Sequence, residues 1–304
     1  MAFIRRKKRG STFYYELVES AWENGKSVQK VLEYFPTLEA ANLYCEKKGI
    51  RKIETENVIP HSLEKKIEEK LKRLNSLRPL PETAVKKLKE KFEVDMTYNS
   101  NAIEGNRLTL RETWLVLRRG VTIGGKSLQE HLEAKNHLEA IQHLDTLVDA
   151  KHKISREDLL ELHKLVMEKI DESIAGKYRQ HQVYIEGAVH VPPPAEKVAE
   201  LMKEVNKMMN KNERDIEIVK TAARIHHRLT WIHPFTDGNG RVSRLLLNLK
   251  LMRGGFPPIV LLKTQRRSYY TALEKADAGD LYPITTFIAN NVENALDLWL
   301  SAIG

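Results

Sequence analysis

The residues best suited to chemistry lie in one short stretch, Ile232-His233-Pro234-Phe235-Thr236-Asp237-Gly238-Asn239-Gly240-Arg241-Val242-Ser243-Arg244. His233 carries a side chain whose ordinary pKa suits general-base work near neutral pH. Asp237 offers a hard carboxylate oxygen, the kind of ligand that Mg²⁺ takes when it is shared with phosphates. Gly238 and Gly240 permit a sharp turn that directs successive N–H groups to one point. The stretch therefore combines a base, a metal ligand and an anion-binding turn.

A helix is predicted to follow this turn. Its apolar residues recur at helical spacing from position 242 to 252, and Gly254-Gly255 ends the pattern. A glycine-bearing turn that opens a helix is an anion site, because unsatisfied N–H groups and the positive end of the helix dipole meet there. Arg241 and Arg244 are three residues apart on one face and can hold further phosphate oxygens.

The stretch resembles the signature of the Fic family (Fic/Doc superfamily), His-Pro-Phe-x-Asp/Glu-Gly-Asn-Gly/Lys-Arg-x-x-Arg, and matches it at every defined position. The resemblance implies transfer of AMP from ATP to a Ser, Thr or Tyr hydroxyl of a protein. His233 would take the hydroxyl proton, and Asp237 would hold Mg²⁺ on the phosphates. Gly rather than Lys at position 240 favours adenylylation over the phosphorylation seen in the Doc branch.

The same resemblance assigns the other residues of the stretch to the nucleotide. Asn239, with the N–H groups of the Gly238–Gly240 turn, would orient the α- and β-phosphates. Arg241 and Arg244 would hold the β- and γ-phosphates. Val242 and Ser243 complete the expected nucleotide-binding residues of the loop and helix.

A second motif, Ser100-Asn101-Ala102-Ile103-Glu104-Gly105, resembles the inhibitory motif of the family, Ser/Thr-x-x-x-Glu-Gly/Asn. The resemblance places it on a helix near residues 90–105 beside the active site, with Glu104 paired to Arg244. An arginine that is engaged bidentately by a carboxylate cannot also bind the γ-phosphate. The expectation is an autoinhibited enzyme.

Residues 182–191 alternate around Gly187 and stop at three prolines, which predicts a short hairpin inside a helical domain. The segment resembles the Fic flap, which implies that it positions a protein substrate by strand-like backbone pairing. Four flap residues would border the nucleotide: Val183, Tyr184, Ile185 and Glu186. The regions around three further residues resemble family segments that close around the adenosine: Tyr269, Tyr270 and Asp277. For Tyr269, a packing role in the core is the alternative.

The surrounding pattern is mostly helical. Helices are predicted over 62–78, 82–98, 109–120, 127–149, 155–170, 196–210, 215–231 and 283–303. The N-terminus differs from this helical pattern. Residues 13–18 and 27–32 are rich in aromatic and β-branched residues, which predicts a three-stranded meander. A helix from 38 to 48 is predicted to follow it. The fold class is therefore mainly α: a Fic-type helical domain (61–304) with a β-hairpin flap, preceded by a small β-rich module (1–60).

Charge and cysteine content limit the binding partners and the cellular compartment that we expect for this protein. The formal net charge is +9, and residues 1–52 hold eleven Lys and Arg against six Asp and Glu. The basic run Arg5–Arg9 either contacts nucleic acid phosphates or simply keeps an edge strand from aggregating. The single cysteine, Cys45, excludes an intramolecular disulfide and fits a reducing compartment. No membrane-length apolar run and no signal-peptide pattern occur, so the expected location is cytoplasmic, without a membrane partner.

Alternatives to the forward reaction remain open. Some Fic proteins use the inhibitory glutamate to position water and remove AMP, which would make Glu104 a required residue. Transfer of UMP or phosphocholine is another possibility within the family. A nucleic-acid-binding regulator that acts through the basic N-terminal module is the alternative from a different class. The resemblance also admits a homodimer, which the sequence does not decide.

Overall fold

A computed structural model describes residues 2–9, 12–23, 26–48, 59–149 and 153–303. At the N-terminus, three strands form an antiparallel sheet in the order β1-β2-β3: β1 (Ala2–Arg9), β2 (Thr12–Glu23) and β3 (Lys26–Phe35). Helix α1 (Leu38–Lys47) follows. The predicted meander and helix are confirmed, whereas the predicted turns at 10–11 and 24–25 and the helix end at Gly49 lie outside the described residues.

One face of this sheet packs on α1. Ile4 pairs with Leu17 and Tyr15 pairs with Phe35 in the strand register, which brings apolar side chains to the same face. These residues form a small separate core that also contains Cys45. Burial raises the pKa of the Cys45 thiol, which is therefore uncharged at neutral pH.

Two of the basic side chains in β1 are already used within the protein. Arg5 donates two hydrogen bonds to Glu16, at 2.8 and 2.7 Å. The guanidinium of Arg6 lies over the rings of Phe13 and Tyr282, at 3.7 and 4.4 Å from the ring centroids. These contacts fix the module internally and against the C-terminal region, so they reduce the charge that is available for a nucleic acid.

The body of the chain is helical, with bounds close to those predicted. Its helices are α2 (His61–Ser76), α3 (Glu82–Ile103), α4 (Leu110–Arg119), α5 (Leu128–Asp149), α6 (Arg156–Met167), α7 (Ala195–Met209), α8 (Ile216–Ile232), α9 (Asn239–Arg253), α10 (Arg266–Asp277) and α11 (Tyr282–Ile303). A short 3₁₀ turn spans Lys263–Gln265. Capping boxes begin α4 at Thr109 and α6 at Ser155. In the described part of the chain, no helix combines the length and apolarity that crossing a bilayer requires.

Helices α8 and α9 occupy the middle of the helical body. From position 241 to 251 every residue of α9 is buried, as expected for a helix surrounded on all sides. One hydrophobic cluster joins α8 and α9 to α2, α10 and α11, and a second joins them to α5, α6 and α7. The loop between α8 and α9 is therefore anchored at both ends in the core.

Helix α3 is longer than the helix that apolar spacing predicts over 82–98, and it reaches the region near 90–105 where the family resemblance implies a helix. It continues past position 98 to Ile103, and Glu104 is its C-cap residue. The last turns are held by packing, because Met96, Ala102 and Ile103 are buried against the helical body. The extension places the whole Ser100–Glu104 motif on the C-terminal turns of one buried helix.

The segment 182–191, here called the flap segment, forms a turn without strand pairing. Ala188 N–H donates to Ile185 O at 3.1 Å, and Gly187 has a φ of 74°, which a turn of this kind favours in glycine. Instead of a backbone ladder, Gln182 Nε2 joins the two arms by donating to Pro192 O at 2.9 Å. The predicted turn is present and the predicted strands are not, because an isolated pair of short strands gains too little from its few hydrogen bonds.

Candidate active site

The loop at 233–238 turns the chain sharply between α8 and α9. His233 ends α8 with its N–H bonded to Leu229 O at 2.9 Å and a φ of 50°, in the left-handed region. Gly238 precedes α9 with a φ of 76°, where glycine has no steric cost. Two left-handed residues five positions apart thus fix the shape of the turn.

Asn239 holds the loop from inside. Its Oδ1 accepts from Phe235 N–H at 2.9 Å, and its Nδ2 donates to Phe235 O at 2.8 Å. The side chain is 2% exposed, so both bonds are shielded from water. Because both amide atoms are used within the loop, Asn239 shapes the anion-binding turn, and its own backbone N–H remains a donor at the start of α9.

Phe235 and His163 fix the underside of the loop. Their rings stack with centroids 3.7 Å apart and an angle of 3° between planes. Gly176 N–H donates to His163 Nδ1 at 3.0 Å, so the opposite nitrogen, Nε2, carries the hydrogen and donates to Asp237 O at 3.1 Å. Burial lowers the pKa of His163 to about 4, which keeps the ring neutral. Sequence periodicity placed His163 on the inner face of its helix but did not indicate this role.

His233 has the protonation expected of a base. Its Nδ1 lies 3.4 Å from Thr230 O, and since a carbonyl only accepts, the hydrogen of the neutral ring is on Nδ1 and the lone pair is on Nε2. Burial lowers the pKa of His233, and the positive charge of Arg179 lowers it further. The carboxylates of Glu104 and Asp237 act in the opposite direction. The imidazole is therefore neutral at neutral pH.

Arg241 has donors that its protein neighbours do not fully satisfy. The residue is 4% exposed, its Nη2 contacts Asp237 Oδ2 at 3.2 Å, and its Nη1 lies 3.9 Å from Glu133 Oε1, beyond hydrogen-bond distance. Within the part of the chain that the structure describes, Nε and Nη1 have no hydrogen-bond partner. Buried N–H groups without acceptors are costly, and phosphate oxygens would satisfy them. The first-turn N–H groups of α9, from Asn239 to Arg241, lack intrahelical acceptors by geometry and add to the same site.

Asp237 is the open carboxylate of the loop, with a side chain that is 57% exposed. Among the described residues, no group of three or more His, Cys, Asp or Glu could hold a metal by itself. A magnesium ion at Asp237 would therefore take its remaining ligands from phosphates and water, as this ion commonly does. The residues present fit a metal that arrives with a nucleotide.

Arg244 is held by the C-terminal end of α3. Its Nη2 donates to Glu104 Oε1 at 2.7 Å and to Ser100 O at 2.8 Å, and its Nε donates to Ser100 Oγ at 2.9 Å. Arg244 is 1% exposed. The expected Glu104–Arg244 pair is present, and Ser100, the first residue of the motif, supplies two of the three bonds.

Glu104 also explains the residue at position 240. A Cβ atom built on Gly240 would lie 2.1 Å from Glu104 Oε1, well inside contact distance. Any side chain at position 240 must therefore displace Glu104 from its present location. Glycine at 240 and the Glu104–Arg244 pair are structurally interdependent.

His137 extends this network behind Ser100. Its Nε2 lies 2.9 Å from Ser100 Oγ, and the ring is fully buried. Burial, together with the positive charges of Arg244 and Arg241, lowers the pKa of His137 well below its ordinary value. The neutral ring can therefore support Ser100 without repelling the arginine. Of the three histidines spaced along α5, this one is part of the site as a structural residue.

Tyr269, Tyr270 and Asp277 lie on α10 on another side of Arg244. The Tyr269 hydroxyl lies 2.8 Å from His226 Nε2, and its ring is 2% exposed. This burial agrees with the packing alternative for Tyr269, whereas Tyr270 is half-buried beside it at 5.2 Å. His227 Nε2 donates to Asp277 Oδ1 at 3.0 Å, so one carboxylate oxygen has a fixed partner.

The flap segment contacts the end of α8 through His190. The imidazole of His190 stacks on Trp231 at 5.0 Å, and its Nε2 donates to Trp231 O at 2.8 Å. The flap-stabilising role predicted for His190 matches these contacts. The residues expected to border the nucleotide, 183–186, are half-buried or exposed, and Tyr184 is 77% exposed.

Arg179 is a further residue of the site that the sequence did not single out. Its Nε donates to His233 O at 2.7 Å, and its N–H donates to Pro234 O at 2.9 Å. The surrounding sequence, Gly176-Lys177-Tyr178-Arg179, indicated only a break between helices. A polar side chain just after such a break is a weak signal, because most of these are solvated.

Fold and site together define a helical protein with a glycine-bearing loop at the start of a buried helix, whose second arginine is bonded to a glutamate from a neighbouring helix. A sequence profile of the Fic/DOC family matches residues 153–251. A solved segment of Fic-1 from C. elegans (aa134–508) is 34% identical, with a TM-score of 0.71 over 80% of this chain and 73% of that one. The chain belongs to the Fic/DOC family.

Other relatives agree. A Fic domain containing signaling protein from Bacteroides thetaiotaomicron is 28% identical and has a TM-score of 0.71 over 78% of this chain and 96% of that one. Proteins named "Protein adenylyltransferase Fic" are 39% identical over 221 residues in Drosophila virilis and 36% identical over 252 residues in Aedes aegypti. These alignments cover 72% and 82% of this chain but 45% and 50% of the relatives. The chain spans about half the length of these curated relatives.

Proposed function

We propose that this chain is a protein adenylyltransferase that transfers AMP from ATP to a Ser, Thr or Tyr hydroxyl of a protein. The observation that carries the proposal is a neutral, half-buried His233 at the entrance of a loop whose far end presents the first-turn N–H groups of α9 and two Arg241 nitrogens that have no hydrogen-bond acceptor among the described residues. A base and an anion site held by one rigid turn suit attack of a hydroxyl on a phosphate. The names of the curated relatives support this reaction.

In the proposed reaction, His233 Nε2 takes the proton of the attacking hydroxyl. The hydroxyl oxygen forms a bond to the α-phosphorus of ATP, the bond from that phosphorus to the α–β bridging oxygen breaks, and pyrophosphate leaves. The Gly238–Gly240 turn and Asn239 N–H hold the α- and β-phosphates, while Arg241 and Arg244 hold the β- and γ-phosphates. Mg²⁺, when bound, neutralises phosphate charge, and Asp237 would hold it.

The remaining assignments belong to the same proposal. We assign contacts with the nucleotide to eight further residues: Val183, Tyr184, Ile185 and Glu186 on the flap segment, Val242 and Ser243 on α9, and Tyr270 and Asp277 on α10. Tyr269 is a ninth residue of the proposed nucleotide site, where its buried ring supports Tyr270. We further propose a protein substrate on the flap segment, a cytoplasmic location, a homodimer as one form, and separate units at 1–60 and 61–304.

We propose that Glu104 keeps this enzyme inhibited. Arg244 makes three bonds to Ser100 and Glu104, which leaves its Nη2 unavailable to a γ-phosphate. ATP bound without that contact would place its α-phosphate poorly for attack. Substitution of Glu104 would remove the carboxylate from Arg244 and leave its two bonds to Ser100 in place.

The test is intact-mass analysis after incubation with ATP and Mg²⁺. Wild type, Glu104→Gly, and Glu104→Gly with His233→Ala are compared. AMP adducts (one adenylyl group each) on Glu104→Gly alone support both the chemistry and the inhibition. Adducts from UTP or a phosphocholine donor, with none from ATP, would replace the proposed moiety.

A second assay distinguishes the reverse reaction, removal of AMP, from the forward transfer. Protein that already carries AMP, isolated from the Glu104→Gly incubation or prepared with another adenylyltransferase, is added to wild type. Loss of AMP that requires both Glu104 and His233 would assign a de-adenylylating role to the wild-type chain. If no variant gains AMP in the first assay or removes it in the second, the proposal is contradicted.

A further inference from the structure

Arg179 is a buried cation whose side chain bonds only to backbone carbonyls. The guanidinium donates to His233 O at 2.7 Å, to His181 O at 2.8 Å and to Pro193 O. A longer contact of 3.4 Å reaches Ile232 O. The residue is 2% exposed. Its N–H donors thus reach the chain on either side of the flap segment, at His181 and Pro193, and the end of α8, which is more than fifty positions away.

These acceptors lie at three defined places. His181 immediately precedes the flap segment, and Pro193 lies two residues beyond its end. His233 is the proposed base, and the Arg179 backbone N–H bonds to the next residue, Pro234, at 2.9 Å. One side chain therefore connects both ends of the flap segment to the residue that carries the imidazole.

Burying the charge of Arg179 is costly in free energy, because none of its described hydrogen bonds goes to a carboxylate. Burial lowers the pKa of Arg179, and Glu196 acts on it only through its charge at a distance. A buried charge is tolerated when its donors are satisfied, and carbonyl oxygens do this here. A lysine at the same place would keep the charge but could not reach acceptors in these separate directions with a planar fork.

We propose that Arg179 is a positioning residue that fixes the flap segment relative to His233, so that a hydroxyl carried by a docked protein segment reaches Nε2. This inference rests on the proposed function. The few other contacts of the flap segment, through Gln182 and His190, join its arms to each other or join one arm to Trp231. Only Arg179, among the described residues, bonds to both ends of the flap segment and to His233.

The charge of Arg179 gives a second, separable effect. The charged groups that influence His233 are Arg179, Glu104 and Asp237: the first lowers the pKa of the imidazole, and the two carboxylates raise it. Replacing Arg179 by a neutral residue should therefore raise the pKa of His233. The fraction of neutral base at mildly acidic pH then falls, and the acidic limb of the rate profile moves to higher pH.

The experiment uses the full chain in the Glu104→Gly background, with ATP, Mg²⁺ and self-modification as the readout. Arg179→Lys should reduce kcat by about 100-fold, a loss typical of a misplaced reacting group, while the KM for ATP changes less than about twofold. Its acidic limb should stay in place. Arg179→Gln should show the same loss and also shift the acidic limb to higher pH.

Two further variants keep the test decisive. Lys177→Gln removes a neighbouring cation outside the flap segment, whose Nζ donates to Ser173 O at the surface at 3.1 Å, and it should leave kcat within about twofold. Pro193→Gly keeps Arg179 and the loop but frees one end of the flap segment, and it should lower kcat with an unchanged acidic limb. If Arg179→Lys does not fold by circular dichroism, Pro193→Gly carries the test.

The outcomes separate this inference from the proposed function. Full kcat in folded Arg179→Lys, or in Pro193→Gly, would overturn the positioning role. An equal loss of kcat and ATP affinity in Arg179→Lys would also overturn it, because a general structural role predicts that result. If Glu104→Gly itself forms no AMP adduct, the proposed function has failed first.

Discussion

The loop at 233–238 and the flap segment at 182–191 lie next to each other but are built in opposite ways. In the loop, Phe235 is fully buried, and the Asn239 side chain bonds to both the N–H and the carbonyl of Phe235. In the flap segment, Val189 is 98% exposed and Tyr184 is 77% exposed. The loop with the proposed base is packed in the core, whereas the surface proposed for the protein substrate is largely exposed and is held to α8 mainly through His190. A segment that recognises backbone needs this openness, because its hydrogen-bonding groups must be accessible.

The largest expected effect separates two histidines, one in each region. In the Glu104→Gly background, His233→Ala should lower AMP transfer by at least about 100-fold, since general-base catalysis contributes this much or more. His190→Ala, which removes a stacking contact of the flap segment, should lower it by less than about tenfold. Rates from intact-mass time courses measure both. Equal losses in the two variants would contradict the assignment of the base.

A pair of glycines gives the next contrast. Gly240→Ala places a methyl group where Glu104 Oε1 now lies, so Glu104 must leave Arg244 and self-modification should rise by about tenfold over wild type. Gly187→Ala meets no atom within 4 Å and should leave the inhibition intact, although its φ of 74° makes alanine unfavourable. ATP titration of Gly240→Ala checks that the nucleotide still binds. A silent Gly240→Ala that binds ATP normally would contradict the inhibitory role of the Glu104 contact.

The free energy of unfolding should depend on the loop at 233–238 much more than on the flap segment. Phe235→Ala removes a ring that is fully buried against His163 and should lower the free energy of unfolding by about 3–5 kcal/mol. Tyr184→Ala on the flap segment should change it by less than about 0.5 kcal/mol. Urea denaturation measures both values. A comparable loss for Tyr184→Ala would mean that the flap segment is packed in solution.

The smallest expected effect is a pH shift at His233. Burial lowers the pKa of the imidazole, so the base loses its proton below the ordinary value of about 6.5 and activity falls only as pH drops through the lowered pKa. Removal of the Glu104 carboxylate, which raises that pKa, should lower it further in Glu104→Gly. NMR titration of the His233 ring in wild type and Glu104→Gly measures the direction. A higher pKa in Glu104→Gly would show that burial is lost together with the carboxylate.

Much of the fold could be predicted because its signals are local. Helix bounds follow from apolar periodicity and from capping residues such as Thr109 and Ser155, and the structure agrees to within a few residues at most ends. The strands of the N-terminal sheet follow from β-branched and aromatic runs. The extension of α3 could not be predicted in this way, because buried contacts rather than spacing hold its last turns.

The flap segment shows the limit of an alternating pattern. Alternation correctly located the turn at Gly187, but strands also need a ladder of backbone hydrogen bonds, and the described contacts of this segment hold its arms through the side chains of Gln182 and His190 instead. In the same way, periodicity placed His163 on the inner face of its helix without indicating which polar groups it contacts, and the spacing of the histidines in α5 did not indicate that His137 is buried beside Ser100.

The sequence by itself determined which groups this protein has for the proposed chemistry: a histidine, a carboxylate, a glycine turn and two arginines in a fixed order, with Glu104 upstream. These features are local, and their spacing fixes which of them share a loop or a helix face. Only the tertiary structure decided how they are held. Arg179 meets His233 across 54 positions, and Glu104 meets Arg244 across 140. Such pairings arise because a buried polar group must find a partner in the folded core, and no short-range pattern specifies which partner that is.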